Sequence, residues 1–136
     1  MTKATATALL LTLGLGFGTA SQAFSLYQDP LPLKPYVKEP VKLIKHALQQ
    51  AQWQAMGEAP GKVEALLDYK GYQVRVDIRY DQHQLWIEPV SAQNNGCKKA
   101  PCKVEQSNLE RWHLNLRRWL AKDLTEAAVK DAASKA

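Results

Sequence analysis

Tyr72-Gln73-Val74-Arg75-Val76-Asp77-Ile78-Arg79-Tyr80 is the stretch from which the fold can be worked out. Val74, Val76 and Ile78 alternate with Arg75, Asp77 and Arg79, the period-two pattern of a strand with one buried and one wet face. Upstream, Val63, Ala65, Leu67 and Tyr69 repeat the alternation, and Lys70-Gly71 between the two runs predicts a tight hairpin. Downstream, Asp81-Gln82-His83 turns the chain into Leu85 to Val90, with Leu85 and Ile87 on the buried side. The result is an antiparallel meander of three strands, or four if Trp53 to Met56 joins it.

Two amphipathic helices flank the meander. Val41, Ile44, Ala47, Leu48 and Ala51 recur at helical spacing, with Lys42, Lys45, Gln49 and Gln52 opposite, predicting a helix over 40–51 with Pro40 in its first turn. Ser107 with Glu110 three residues on is a capping-box pattern for a second helix. Its apolar stripe is Leu109, Trp112, Leu116, Trp119, Leu120 and Leu124, with Arg111, Arg117, Arg118 and Lys122 turned outward. A sheet with one apolar face and two such helices packs as a two-layer α+β sandwich in the order α-β-β-β-α. The single domain is expected over 40–124. It follows a proline-rich lead-in over 24–39, and an alanine-rich tail over 125–136 either extends the last helix or frays.

The chain opens with a leader pattern. Lys3 precedes an uncharged apolar run from Ala8 to Ala20, and Ser21-Gln22-Ala23 has the small-x-small form cut by signal peptidase. The run is too short to span a bilayer, which takes about 20 apolar residues. Phe24 stands where a lipid anchor would need a cysteine. The expectation is a free periplasmic protein cleaved after Ala23, without a transmembrane anchor.

That compartment sets the reading of Cys97 and Cys102, the chain's two cysteines. A close pair in an oxidising space predicts a disulfide stapling a surface loop over 92–103. The weaker alternative is a thiol redox pair, but such pairs favour Cys-x-x-Cys at a helix start.

Lys+Arg number 18 against 13 Asp+Glu, a formal charge of +5, and acids are interspersed throughout. Neither the balance nor its distribution resembles the basic stripe of a nucleic-acid protein, so no nucleic-acid partner is expected. His46 falls on the wet side of the first helix, His83 in a turn and His113 beside the core stripe of the second. That spacing suits no zinc site, and a Cys97/Cys102/His113 set competes with the disulfide. Gly14, Gly16 and Gly18 belong to the leader, so no phosphate loop, cofactor or catalytic set is expected. Asp77 between Arg75 and Arg79 reads as a cross-strand charge ladder on a solvated face.

The candidate binding residues are Arg75, Arg79 and Trp86 on the open sheet face, since an aromatic beside arginines is a composition enriched at hot spots. Lys98 and Lys99 add a basic knob on the stapled loop. The matching function is a non-enzymatic binding or accessory module whose partner is another envelope protein. The alternative is a small-ligand carrier or enzyme with a site between sheet and helices.

Gly61-x-Val63-x-Ala65-x-Leu67, Val74-x-Val76-x-Ile78-x-Tyr80-Asp81 and Arg111-Trp112-x-x-Asn115-Leu116 together resemble a family of small exported bacterial envelope proteins, many of them lipoproteins. The resemblance covers Val41 to Leu124 and is most specific in Arg-Trp-x-x-Asn-Leu on the last helix. It implies an α+β fold with terminal helices and supplies no activity. Two features depart from the family: the lipid-bearing cysteine is missing, and Glu88-Pro89-Val90 with the Cys97/Cys102 loop replaces an aromatic-rich strand end.

Overall fold

The computed structural model describes residues 29–135. The expected leader, its cleavage point and residues 24–28 of the lead-in lie outside the described residues. The chain forms β1 (Leu31–Pro32), α1 (Pro40–Gln50), β2 (Gln54–Ala59), β3 (Lys62–Tyr69), β4 (Tyr72–Tyr80), β5 (Gln84–Asn94) and α2 (Gln106–Ser134). The strands make one antiparallel sheet in the order β1-β5-β4-β3-β2, so β4 is central. No described helix is long and apolar enough to cross a membrane.

The architecture is the expected α+β sandwich, with five strands rather than three or four. The extra strands come from places where pairing, not periodicity, makes the element. Leu31 and Pro32 pair with Leu85 and Gln84. A proline is tolerated there because β1 is an edge. β2 starts at Gln54 rather than Trp53 and runs on to Ala59, held against β3 through a bulge at Met56. β5 likewise outruns its expected end at Val90. Val76 pairs with Pro89 and Arg75 with Ser91, leaving Val90 as a bulge residue, after which pairing resumes to Asn94. A bulge absorbs one residue without ending the ladder, so the surface loop is shorter than 92–103.

Val63, Val74, Val76, Ile78 and Leu85 of the sheet meet Ile44 and Leu48 of α1 and Leu116, Leu120 and Leu124 of α2, each of them at most 1 % exposed. These side chains fill the centre of the space between the layers, where a ligand site was one expectation, and a small cleft at its margin is lined by Val74 and Ala92 of the sheet and Leu109 and His113 of α2. Trp112 and Trp119 pack against this core from its margin and stay partly exposed.

The helix ends show which local signals hold. α1 stops in a Schellman turn: Gln52 adopts φ 66°, its amide bonds the Gln49 carbonyl (3.0 Å), and Trp53 N–H bonds the Leu48 carbonyl (2.8 Å). Trp53 is thereby set into the core. At α2 the expected Ser107/Glu110 capping box is not formed. Glu105 is the extended residue before the helix and makes no side-chain cap bond. Ser107 already lies in the first helical turn, where its hydroxyl cannot serve as the N-cap acceptor. The alanine-rich tail continues α2 to Ser134, but large buried side chains end at Leu124 and Val129 is 63 % exposed.

Lys70 (φ 50°) and Gly71 (φ 88°) form the two-residue turn joining β3 and β4. Both dihedrals are positive, as a type I′ hairpin demands. The turn also carries the stapled loop: Asn95 N–H bonds the Gly71 carbonyl (2.7 Å), and a Cβ on Gly71 would lie 2.8 Å from the Gly96 nitrogen. Gly71→Ala therefore combines a left-handed strain of about 1–2 kcal/mol with displacement of the loop. It is expected to cost about 2 kcal/mol or more in urea denaturation. Gly57→Ala, whose Cβ meets only the movable Glu64 carboxylate, serves as the control and is expected to cost well under half as much.

Candidate functional site

The sheet register arranges the face opposite the helices in rows. Lys62, Arg79 and Trp86 stand side by side across β3, β4 and β5; Glu64, Asp77 and Glu88 form the next row; Leu66, Arg75 and Ser91 the one beyond. The expected cross-strand charge ladder is present as one diagonal pair, Arg79 with Glu88, and not as directly opposed charges. Carboxylates face carboxylates, an arrangement that destabilises on its own. Neutralisation runs diagonally or along a strand instead: Arg79 Nε donates to Glu88 (3.0 Å), Arg79 lies 3.8 Å from Asp77, and Lys62 lies 3.4 Å from Glu64. Among the described residues no three His, Cys, Asp or Glu side chains are grouped to hold a metal ion.

Arg79 is thus committed to its own sheet, while Arg75 is exposed and makes no ion pair among the described residues. Trp86 is half-buried at the end of its row. Two apolar residues that the sequence reading passed over share this face. Leu66 is only 8 % exposed beside Arg75, and the bulge residue Val90 is 55 % exposed and borders a shallow cleft with Arg75 and Asp77. Pro89 and Val90 break the alternation of β5, and that break is the signal that a bulge re-aims a side chain.

Lys98 and Lys99 do not join this group. The disulfide between Cys97 and Cys102 is formed (Cα–Cα 6.4 Å), and the Asn94 and Cys102 backbones exchange hydrogen bonds of 2.8 and 2.9 Å. This pins the loop at the β3–β4 turn. Trp86 and Arg79 lie at the other end of the strands, roughly 26 Å away at about 3.3 Å per residue. Both lysines are exposed, so the loop and the Arg79–Trp86 row present separate surfaces.

At the loop end, Trp112 packs edge-on against Tyr72 (5.0 Å) and Tyr69 (6.5 Å), with the Arg111 guanidinium over its ring. Arg111 also donates to Asn108 (2.8 Å), so this part of the Arg-Trp-x-x-Asn-Leu segment anchors the helix start to the hairpin tip. Arg117, expected to point outward, is largely covered and lies 3.7 Å from Asp29.

Two histidines have surroundings that sequence spacing does not reveal. His46 is largely exposed, yet its Nδ1 donates to Asp123 at 2.7 Å, and Asp123 is 7 % exposed within the α2 stripe. An ionised carboxylate can only accept, so in this bond Nδ1 is the donor. The signal was available: Asp123 follows Leu120 by three, at stripe spacing, and a charge there needs a partner. His113 lies beside Trp53 with Nε2 buried and unpartnered. Burial, followed by the Arg117 charge, holds its pKa below the ordinary 6.5.

No protein-family model matches this sequence, and neither a curated protein nor a solved structure is significantly similar to it.

Removing His46 strands a buried carboxylate, whereas removing Asp123 leaves an imidazole that water can solvate. His46→Ala is therefore expected to cost about 1–3 kcal/mol at neutral pH and Asp123→Ala distinctly less, by urea denaturation. Equal losses would mean the Asp123 carboxylate does not depend on His46.

A depressed folded pKa at His113 means that the unfolded chain takes up the proton first on acidification. The stability held above the free value of 6.5 is lost as pH falls toward the folded pKa. His113→Leu is expected to flatten the stability profile below pH 6.5 and to match or exceed the wild-type melting temperature at pH 5.5. A variant whose acid-side slope is unchanged would place the effect on another group.

Proposed function

We propose that the protein is an exported, non-enzymatic binding module of the cell envelope that holds another envelope protein on its open sheet face. The observation that carries this reading is an uncommitted Arg75 beside exposed Val90, with half-buried Trp86 two rows further along the face opposite the helices. Both helices are spent on the opposite face, so this surface has no structural debt to the rest of the fold. An aromatic anchor, an arginine and a small apolar rim are the ingredients of a binding hot spot. Arg79, locked by Glu88 and Asp77, would shape that surface rather than bond the partner.

Export rests on the leader pattern of residues 1–23, and the Cys97–Cys102 bridge is consistent with an oxidising compartment. Membership of the envelope family suggested by Arg111-Trp112-x-x-Asn115-Leu116 would fit the same role.

Photo-crosslinking from position 90 in living cells, followed by identification of the captured protein, tests the proposal. Trp86→Ala combined with Arg75→Ala is expected to reduce capture at least about tenfold, the loss of roughly 1.4 kcal/mol or more that one hot-spot residue supplies. Lys98→Glu with Lys99→Glu should leave it intact. Capture that survives the first pair and fails with the second would move the site to the stapled loop.

A further inference from the structure

A second surface lies at the end of the sandwich remote from the disulfide, where the segment after β1 crosses the sheet before entering α1. Leu33 N–H bonds the His83 carbonyl (2.9 Å), and Val37 N–H closes a turn onto the Lys34 carbonyl (3.0 Å). Leu33 through Pro40 is thereby held as a strap beside the β4–β5 turn. Between strap and turn is a groove of about 630 Å³, open along one side. That is within the roughly 300–1,000 Å³ of small-molecule sites.

The groove is apolar inside and basic at its mouth. Leu33, Val37, Pro40 and Tyr80 supply the walls. At Gly61 the backbone closes one end: its carbonyl accepts from Tyr80 N–H (3.0 Å), and a Cβ there would sit 3.2 Å from the Tyr80 carbonyl oxygen. Lys34 and Lys38 are exposed at the mouth and make no ion pair among the described residues. His83 stands opposite. Among the described residues the one acid lining the groove is Asp81, and its Oδ1 accepts from the His83 and Gln84 amides (2.8 and 2.9 Å), which ties it into its own turn.

We propose that this groove binds a small anionic amphiphile, its acyl or alkyl chain along Leu33, Val37 and Tyr80 and its carboxylate or phosphate head against Lys34 and Lys38. An apolar trough takes the chain because burying it removes about 25 cal/mol of hydrocarbon–water free energy per Å². Two lysines without partners select the sign of the head and give the affinity a salt dependence. His83 also lines the groove and offers an imidazole ring for hydrogen bonding. The site is independent of the open sheet face, so either proposal can fail without the other.

Calorimetric titration of the full chain with four ten-carbon probes tests this: decanoate, decyl phosphate, decanol and decyltrimethylammonium, each below its micellar range. Decanoate or decyl phosphate is expected to bind at least about tenfold more tightly than decanol and decyltrimethylammonium, and to weaken as salt rises. The tighter of the two anions identifies the head group, and equal affinities assign the site to the anionic head they share. Lys34→Glu with Lys38→Glu should abolish the preference, and Lys34→Gln with Lys38→Gln should reduce it; all four changes are at exposed positions. Arg75→Ala should leave it unaltered. Equal binding of all four probes, no binding of either anion, or amide shifts on titration that bypass Leu33, Val37 and Tyr80 would overturn the proposal.

Discussion

One-sided burial of β4 is the constraint from which the rest of the molecule follows. Val74, Val76 and Ile78 project to one face of the central strand and are sealed from water. Because β3 and β5 pair with β4 on either side, their inward residues must share that face: Val63, Ala65 and Leu67 from one, Leu85 and Ile87 from the other. A slip of one residue in either pairing would turn all of them toward water. The apolar stripes of α1 and α2, which lie on either side of the meander in sequence, have only this face to cover. Their own contact is completed by His46 reaching Asp123.

The same register determines what the other face can do. It lines up like charges in rows and so forces the ion pairs onto diagonals, which uses Arg79 and spares Arg75. The bulge at Val90 then brings an apolar side chain beside the spared arginine. At the sheet ends, the tight Lys70-Gly71 turn bears the disulfide loop and the Tyr72–Trp112 contact, while the wider Asp81-Gln82-His83 turn bears the strap and its groove. The length of the strands thus keeps the disulfide loop apart from the strap groove, while the open face lies on the side of the sheet opposite the helices.

The long elements were legible because each carries its own period: alternation in β3 and β4, three-and-four spacing in both helices, and a two-residue turn between Tyr69 and Tyr72. The bridge of Cys97 to Cys102 was legible from their close spacing. What escaped was what depends on a partner distant in sequence. β1 is two residues long and has no period to display; it is a strand because Leu85 is beside it. The capping box was a correct local pattern overruled by where the preceding chain arrives, at Glu105. Of the candidate site, Arg75, Arg79 and Trp86 were placed on the right face by alternation. Their differing commitments, and the exclusion of Lys98 and Lys99 from the group, required the register.

Sequence alone therefore decided the long elements, the buried face and the staple, since those follow from side-chain period and covalent chemistry within a few residues. Tertiary structure decided which charges are free, why a histidine on a wet helix face matters to a carboxylate in the core, and where the grooves lie. Those properties are set by distances between segments as far apart as His46 and Asp123. No local pattern encodes such a distance; it exists only once the strands have fixed the spacing of everything attached to them.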